Sequence, residues 1–184
     1  MKDLCYPEHA KGCSQKPPTA KDVGSVKTIG TLLDERLVIM DADVETAEDC
    51  IRLMAGLFEQ YGYVKPGYGD AVAKREREYP TGLPGKEMNL AIPHTNNQLV
   101  NYPAVGVIIP KRPVKFAMMG MKETLLDCEL VMPLVVQDSK RQIQMLKKMM
   151  KIIQDGALLR RIKDSKDRAE ILDCLSSLDE EETG

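Results

Sequence analysis

The sequence has few of the residues on which several common functions depend. It contains no tryptophan, only 4% of its residues are aromatic, and two of its 184 residues are histidines, His9 and His94. Sugar-binding modules stack their ligands on aromatic rings, so this composition argues against such a module. Two imidazoles also cannot supply a metal site built mainly from histidines.

The chain also lacks an excess of charge of one sign and a long hydrophobic run. Its net charge is −2 and its pI about 5.8, so no basic field attracts nucleic acid, and we expect no nucleic-acid partner. The uncharged stretch 98–110 is too short to cross a bilayer, and residues 1–18 lack the apolar core of a secretory signal. We therefore predict a cytoplasmic protein without direct membrane insertion.

The cysteines are scattered along the chain and odd in number, which argues against a disulfide framework. There are five: Cys5, Cys13, Cys50, Cys128 and Cys174. Cys5, His9 and Cys13 are evenly spaced but match no paired zinc-binding pattern and provide three ligands only. We predict that no metal is bound there.

Hydrophobic periodicity predicts where the ordered domain begins and how its first half is built. Residues 1–28 are rich in Lys, Pro, Gly and Ser and predict a flexible extension, followed by one domain over 29–184. Within it, 36–43 predicts a strand, 44–61 an amphipathic helix stopped by Gly62, and 69–80 a second helix broken by Pro80. A loop rich in Gly and Pro then leads to a short strand ending at Pro93.

The second half predicts two interior strands and two helices. The strands are Ala104–Pro110 and Cys128–Val136, which are short, apolar and rich in β-branched residues. A helix with one apolar face (Ile143, Leu146, Met150, Ile153) is expected to end at Gly156, and a last helix covers about 166–178. Helices and strands around a single core indicate a layered α/β domain.

His94 is the only internal histidine, and it directly follows the apolar segment "LAIP". The sequence contains none of the motifs GxSxG, GxxxxGK[ST], GxGxxG or HExxH, so the histidine would have to act alone. Neutral imidazole is a nucleophile near pH 7, and phosphoryl transfer needs little beyond positioning and charge stabilisation. The alternative is a histidine that merely caps a strand end.

Three short motifs favour the interpretation of His94 as a nucleophile over that of a strand cap. Arg75-Glu76 ends the second predicted helix, Thr81-Gly82 forms a turn, and Ile92-Pro93 precedes His94. This pattern resembles the phosphorylation-site signature of the IIA proteins of the bacterial phosphoenolpyruvate:sugar phosphotransferase system, fructose/mannitol class. The resemblance extends from about Val38 to Leu178.

Two features make the chain most similar to the galactitol-type IIA branch. The loop between Thr81 and His94 looks longer than in the fructose, mannitol and nitrogen-regulatory members. Many of those carry a second histidine where this chain has Gln142. The segment "PKRPVKF" (110–116) is similar to that branch as well.

The resemblance implies a fold and a reaction. The fold would be a single layered α/β domain with a mixed sheet of about five strands flanked by helices. His94 would accept a phosphoryl group from HPr and pass it to a cysteine of the cognate IIB protein, which serves a membrane IIC transporter that selects the sugar. The transfer would need no cofactor and no metal.

Each supporting residue has a functional and a structural interpretation. Arg75 either faces the phosphoryl oxygens or is an exposed helix residue. Thr81 either donates its hydroxyl to the phosphate or the ring, or is a turn residue, and Gln142 either donates its amide hydrogens to the phosphohistidine or lies on an exposed helix face. The run 116–121, "FAMMGM", is either core or a docking surface next to an open His94.

A regulatory role is the alternative function. IIA-like domains also act as signalling modules whose phosphorylation state other proteins read. The absence of a helix-turn-helix region argues against a fused transcription regulator, and Gln142 with the longer loop argues against the nitrogen-related branch.

Overall fold

A computed structural model describes residues 32–95, 97–136, 147 and 149–180 of the chain. The predicted extension 1–28, with Cys5, His9 and Cys13, lies outside the described residues, and so does Gln142. No helix in the described ranges is long and apolar enough to cross a bilayer.

The described residues form one mixed sheet with helices on both faces. Its strands are β1 (Leu33–Ala42), β2 (Gly82–Leu83), β3 (Asn89–Ala91), β4 (Ala104–Pro110), β5 (Val114–Met118), β6 (Met121–Val131) and β7 (Leu134–Val135). The order is β1-β4-β6-β3-β2-β5, with β7 beside β4 and a further pairing of β5 with β6. Five strands have three or more residues, in line with the predicted sheet, and β2 and β7 have two each.

Strand directions bring the end of β3 to a particular edge of the sheet. β3 runs parallel to β6, and β2 runs antiparallel to β3, with Gly82 opposite Ala91. The start of β2 therefore lies beside the end of β3. β7 pairs with the start of β4, Ala104 opposite Val135, and so lies at this same edge.

Helices α1 (Ala47–Gln60) and α2 (Tyr68–Glu78) cover one face of the sheet. Helix α1 begins at a capping box, in which Thr46 Oγ1 accepts from Asp49 N at 3.1 Å and Asp49 Oδ2 accepts from Thr46 N at 2.9 Å. The opposite face carries the helical residues 149–154 (α3), α4 (Gly156–Asp164) and α5 (Arg168–Glu180). Each face has its own cluster of buried apolar side chains.

The structure corrects the expected strand at 128–136 and divides the run 116–121 between core and surface. The strand is broken at Met132 and Pro133, which separate β6 from β7. β5 and β6 form a hairpin around Gly120, whose φ of 78° suits glycine. Phe116 is core, whereas Met119 and Met121 are 41% and 56% exposed, because the hairpin tip leaves the packed layer.

The third predicted helix ends at residue 154, close to the expected end, but its apolar face differs from the prediction where the structure describes it, and Ile143 and Leu146 lie outside the described residues. Met149, Ile152 and Ile153 are buried, while Met150 is 41% exposed. Gly156 does not end a helix but begins α4, because Asp155 caps α4 by accepting from Leu158 N at 3.0 Å. The last helix is found at Arg168–Glu180.

Candidate functional site

His94 is held at the sheet edge by the backbone of β7. After β3 ends, residues 92–94 continue alongside 132–134, and Leu134 N donates to Pro93 O at 2.9 Å. His94 and Leu134 form a parallel bridge. The side chain is only 3% exposed, so the open histidine expected from the sequence is not what the structure shows.

One ring nitrogen of His94 has a defined partner. Nδ1 lies 2.8 Å from the carbonyl oxygen of Ile92. A carbonyl oxygen can only accept, so Nδ1 carries the hydrogen. In the neutral ring, Nε2 then holds the free electron pair.

The surroundings of His94 favour the neutral ring. Burial lowers its pKa below 6.5, and the positive charge of Arg75 lowers it further, while the hydrogen bond to Ile92 O opposes both. At neutral pH the ring is therefore uncharged, with its hydrogen on Nδ1 and a free electron pair on Nε2.

Arg75 lies in the last turn of α2 and brings a positive charge to the ring. Its guanidinium carbon is 6.0 Å from the centroid of the Tyr79 ring. Its Nη1 is buried and has no hydrogen-bond partner among the described residues. Burial lowers the pKa of Arg75, which nevertheless stays charged at neutral pH. A buried, charged donor without a partner is suited to receiving an anion.

Thr81 is fully buried, and both of its donors are bound to the neighbouring Glu76. Thr81 N donates to Glu76 Oε1 at 2.8 Å, and the hydroxyl donates to Glu76 Oε2 at 2.8 Å. The hydroxyl hydrogen therefore points to a carboxylate, rather than to the ring or a phosphate as one interpretation of the sequence had it. The predicted Thr81-Gly82 turn is not found: Gly82 begins β2, and Thr81, directly before this strand, is held by a buried acid.

Tyr68 and Glu76 surround the site, and sequence reasoning gave neither of them a role. The Tyr68 hydroxyl donates to Leu134 O at 2.8 Å, opposite His94, and burial raises the pKa of this phenol. Glu76 belongs to the motif that carries the resemblance, yet only the fold shows that its carboxylate is buried. Burial raises the pKa of Glu76, against the bonds from Thr81 and the charge of Arg75.

An exposed apolar rim lies next to Thr81. Tyr79 is 65% exposed, and Met119 at the tip of the β5–β6 hairpin donates its N–H to Gly82 O at 2.8 Å. In the described part of the chain, no group of three or more His, Cys, Asp or Glu side chains is arranged to hold a metal ion. The site thus combines a neutral imidazole, one cation and an apolar rim.

Comparison with known proteins assigns the chain to a family. Residues 31–178 match the family model described as "Phosphoenolpyruvate-dependent sugar phosphotransferase system, EIIA 2". The chain belongs to this family. It is thus a IIA-type component of a phosphotransferase system, as the residues around His94 indicated. No curated protein matches the chain.

Solved structures show the same fold at low sequence identity. The IIA mannitol protein from Escherichia coli is 22% identical with a TM-score of 0.65, and 77% of this chain and 97% of that chain are covered. The complex of IIAMtl with phosphorylated IIBMtl from Escherichia coli matches at 21% identity and a TM-score of 0.67, with 79% and 99% covered. The nitrogen regulatory protein IIA-Ntr from Neisseria meningitidis is 18% identical, with a TM-score of 0.65 and 80% and 98% covered. These likenesses confirm the predicted mannitol-type IIA fold and do not separate sugar-specific from regulatory members.

Proposed function

We propose that this EIIA 2 family member is a phosphocarrier in which His94 accepts a phosphoryl group from phospho-HPr and passes it to a cysteine of a IIB protein. The observation that carries this proposal is that the buried imidazole of His94 feels the charge of Arg75, whose buried Nη1 has no hydrogen-bond partner among the described residues. A bound phosphoryl group would give that nitrogen its missing acceptor.

The geometry favours Nε2 as the atom that is phosphorylated. The Nε2 electron pair forms the new N–P bond, and the bond from phosphorus to the donor histidine breaks, leaving its electron pair on the donor ring. In the second step a thiolate of IIB attacks phosphorus and the electron pair returns to Nε2. Nδ1–H stays bound to Ile92 O throughout, which keeps the ring oriented.

Charge stabilisation would come from protein donors alone. Arg75 offers a guanidinium to the oxygens that gain charge in the transition state. Gln142, which lies outside the described residues, is proposed as a neutral amide donor to the phosphohistidine. Thr81 contributes through its position directly before β2, since its hydroxyl hydrogen is bound to Glu76.

Two proteins must reach His94 in turn, and the ring is buried before either docks. The exposed side chains of Tyr79, Met119 and Met121 provide an apolar rim beside Gly82 for this docking. Methionine side chains adapt to different partners because they are flexible and polarisable. Because the ring of His94 is buried, docking of either protein must displace groups that cover it.

The decisive experiment is phosphorylation with phosphoenolpyruvate, enzyme I and HPr, followed by intact-mass and phosphopeptide analysis. We expect one acid-labile phosphoryl group on the wild type, none on His94→Gln, and slower labelling of Gln142→Ala. The fold of each variant is checked by circular dichroism. Unlabelled wild type, with the same HPr active on another IIA protein, would refute the carrier role.

The galactitol-type branch and sugar uptake are tested in the second transfer. The labelled protein is mixed with purified IIB domains of the galactitol and mannitol types, and loss of label is followed over time. Faster transfer to the galactitol-type IIB supports the proposed branch. A regulatory protein would keep its label with every IIB and lose it only to HPr by back transfer.

A further inference from the structure

The described part of the chain buries four polar or charged side chains, Glu76, Thr81, His94 and Thr95. Three of them belong to one connected set of hydrogen bonds. Burial of a carboxylate is costly, so a buried glutamate that is 8% exposed requires a compensating role or partner. The hydrogen-bond partner of the Glu76 carboxylate is Thr81.

The hydrogen bonds lead step by step from the carboxylate to the ring. Both oxygens of Glu76 accept from Thr81, one from the amide and one from the hydroxyl, each at 2.8 Å. Thr81 O accepts from Ile92 N at 3.3 Å. Ile92 O in turn accepts from His94 Nδ1 at 2.8 Å. Ile92 is therefore held through its N–H by Thr81 and through its carbonyl oxygen by the imidazole.

We propose that Glu76 is a positioning residue that, through Thr81 and Ile92, holds His94 in the tautomer with a free Nε2. It matters for phosphoryl transfer only if His94 is the acceptor proposed above. The tautomer itself is a property of the protein alone and needs no partner to be measured.

The carboxylate is well suited to this task for a geometric reason. Two oxygens on one planar group bind two donors of the same residue, which fixes Thr81 in both position and rotation. Thr81 cannot then rotate away from Ile92 without losing a bond to a buried charge. Without this anchor, Thr81 would leave the Ile92 carbonyl free to tilt, and the ring hydrogen could then move to Nε2.

Glu76 also follows Arg75 directly in α2, so a single helix end places both the guanidinium and the anchor. Glu76 thus links the orientation of the His94 ring to the end of α2, which also carries the Arg75 guanidinium. The carboxylate itself does not touch the reacting atoms, because its two oxygens are engaged with Thr81.

Nitrogen-15 NMR of the imidazole tests the proposal in a His9→Gln background, in which His94 is the only histidine. The full-length wild-type ring should show a protonated Nδ1 and an unprotonated Nε2. In Glu76→Ala we expect a mixture of tautomers, and in Glu76→Gln a return towards the wild-type pattern. The glutamine amide can accept from Thr81 N and donate to Thr81 Oγ1.

Phosphorylation by phospho-HPr gives the second readout. Misplacing a reacting group by about 1 Å can cost ~100-fold in rate, so we expect a loss of that order in Glu76→Ala and its substantial rescue in Glu76→Gln. Glu78→Ala, at an exposed position of the same helix, is the matched control. Thr81→Val, which loses only the hydroxyl bond, serves if Glu76→Ala does not fold, and should give a smaller change of the same kind.

The outcomes separate the two proposals. An unchanged tautomer in Glu76→Ala and Thr81→Val would overturn the positioning role. Equal damage in Glu76→Gln and Glu76→Ala would also overturn it, since charge rather than hydrogen bonding would then be what the ring requires. A tautomer shift in Glu76→Ala together with an unphosphorylated wild type would support the positioning role and refute the phosphocarrier.

Discussion

Tyr68 donates its buried hydroxyl to the carbonyl oxygen of Leu134 at 2.8 Å, and Leu134 is the residue that pairs with His94 across the sheet edge. The phenol of α2 thus holds β7, while the backbone of β7 holds the histidine. The Tyr68 side chain thus connects α2 to this edge of the sheet.

Replacing Tyr68 by phenylalanine should loosen this connection. Loss of one buried hydrogen bond costs about 1 kcal/mol in the free energy of unfolding. We expect that decrease in urea denaturation, together with faster amide hydrogen exchange at Leu134. A Tyr79→Phe variant, altered at an exposed ring, should keep the wild-type values. Unchanged exchange at Leu134 in Tyr68→Phe would contradict the expected anchoring.

Arg75 is expected to matter for function and not for stability. Because its buried Nη1 has no partner among the described residues, Arg75→Met should leave the free energy of unfolding unchanged or raise it by up to ~1 kcal/mol. Removing one donor to developing charge typically slows a reaction by about 100-fold or more, which we expect for phosphorylation of this variant. Arg77→Met is the control, since Arg77 is exposed and pairs with Glu48 at 3.2 Å. A marked destabilisation by Arg75→Met would show that Arg75 has a structural partner.

The ring of His94 should titrate below pH 6.5, because burial and Arg75 both lower its pKa. An NMR titration of the His9→Gln variant measures this midpoint directly. Phosphoryl acceptance requires the neutral ring. The rate of phosphorylation should therefore be highest at neutral pH and should fall as the pH drops through that midpoint. In Arg75→Met the midpoint should rise. A midpoint above 6.5 in the unsubstituted site would contradict this interpretation.

The lowered pKa of His94 also affects the free energy of unfolding. The unfolded chain binds a proton at His94 at a higher pH than the folded protein does, so stability falls as the pH drops below 6.5 towards the folded-state pKa. His94→Gln should lose this part of the pH dependence. Urea titrations between pH 7 and pH 5 compare the two proteins.

Cys50 and Cys128 should resist modification, since burial raises the pKa of both thiols to about 12. At pH 8 we expect slow alkylation by iodoacetamide in the native protein and fast alkylation in urea, measured peptide by peptide. Labelling of native Cys50 as fast as in urea would indicate that α1 opens readily.

How far the sequence predicts this protein depends on how local each interaction is. β4 was predicted at its observed bounds because an apolar, β-branched run lies between Pro103 and Lys111. The sequence does not reveal the start of α4, because Gly156 indicates a helix end, whereas the Asp155 side chain caps the helix that follows. The sequence does not predict the β5–β6 hairpin, because glycine is depleted in strands and the run 116–121 lacks an alternation of apolar and polar residues.

At the candidate site, too, local interactions are predicted from the sequence and long-range ones are not. The residues of the motif were predicted from the sequence, but their partners depend on contacts between distant segments. Tyr68 and Leu134 are 66 positions apart, and no local pattern links them. The binding of Thr81 to Glu76 spans five positions, but it requires the burial that only the packed domain creates.

The sheet separates two hydrophobic clusters that take their helices from different parts of the chain, α1 and α2 on one face and α3 to α5 on the other. The two clusters have no member in common, so we expect the effects on stability of substitutions in different clusters to add, except at directly neighbouring residues. Ala91 belongs to one cluster and Ile92 to the other. A change in the segment before His94 therefore affects the packing on both faces of the sheet.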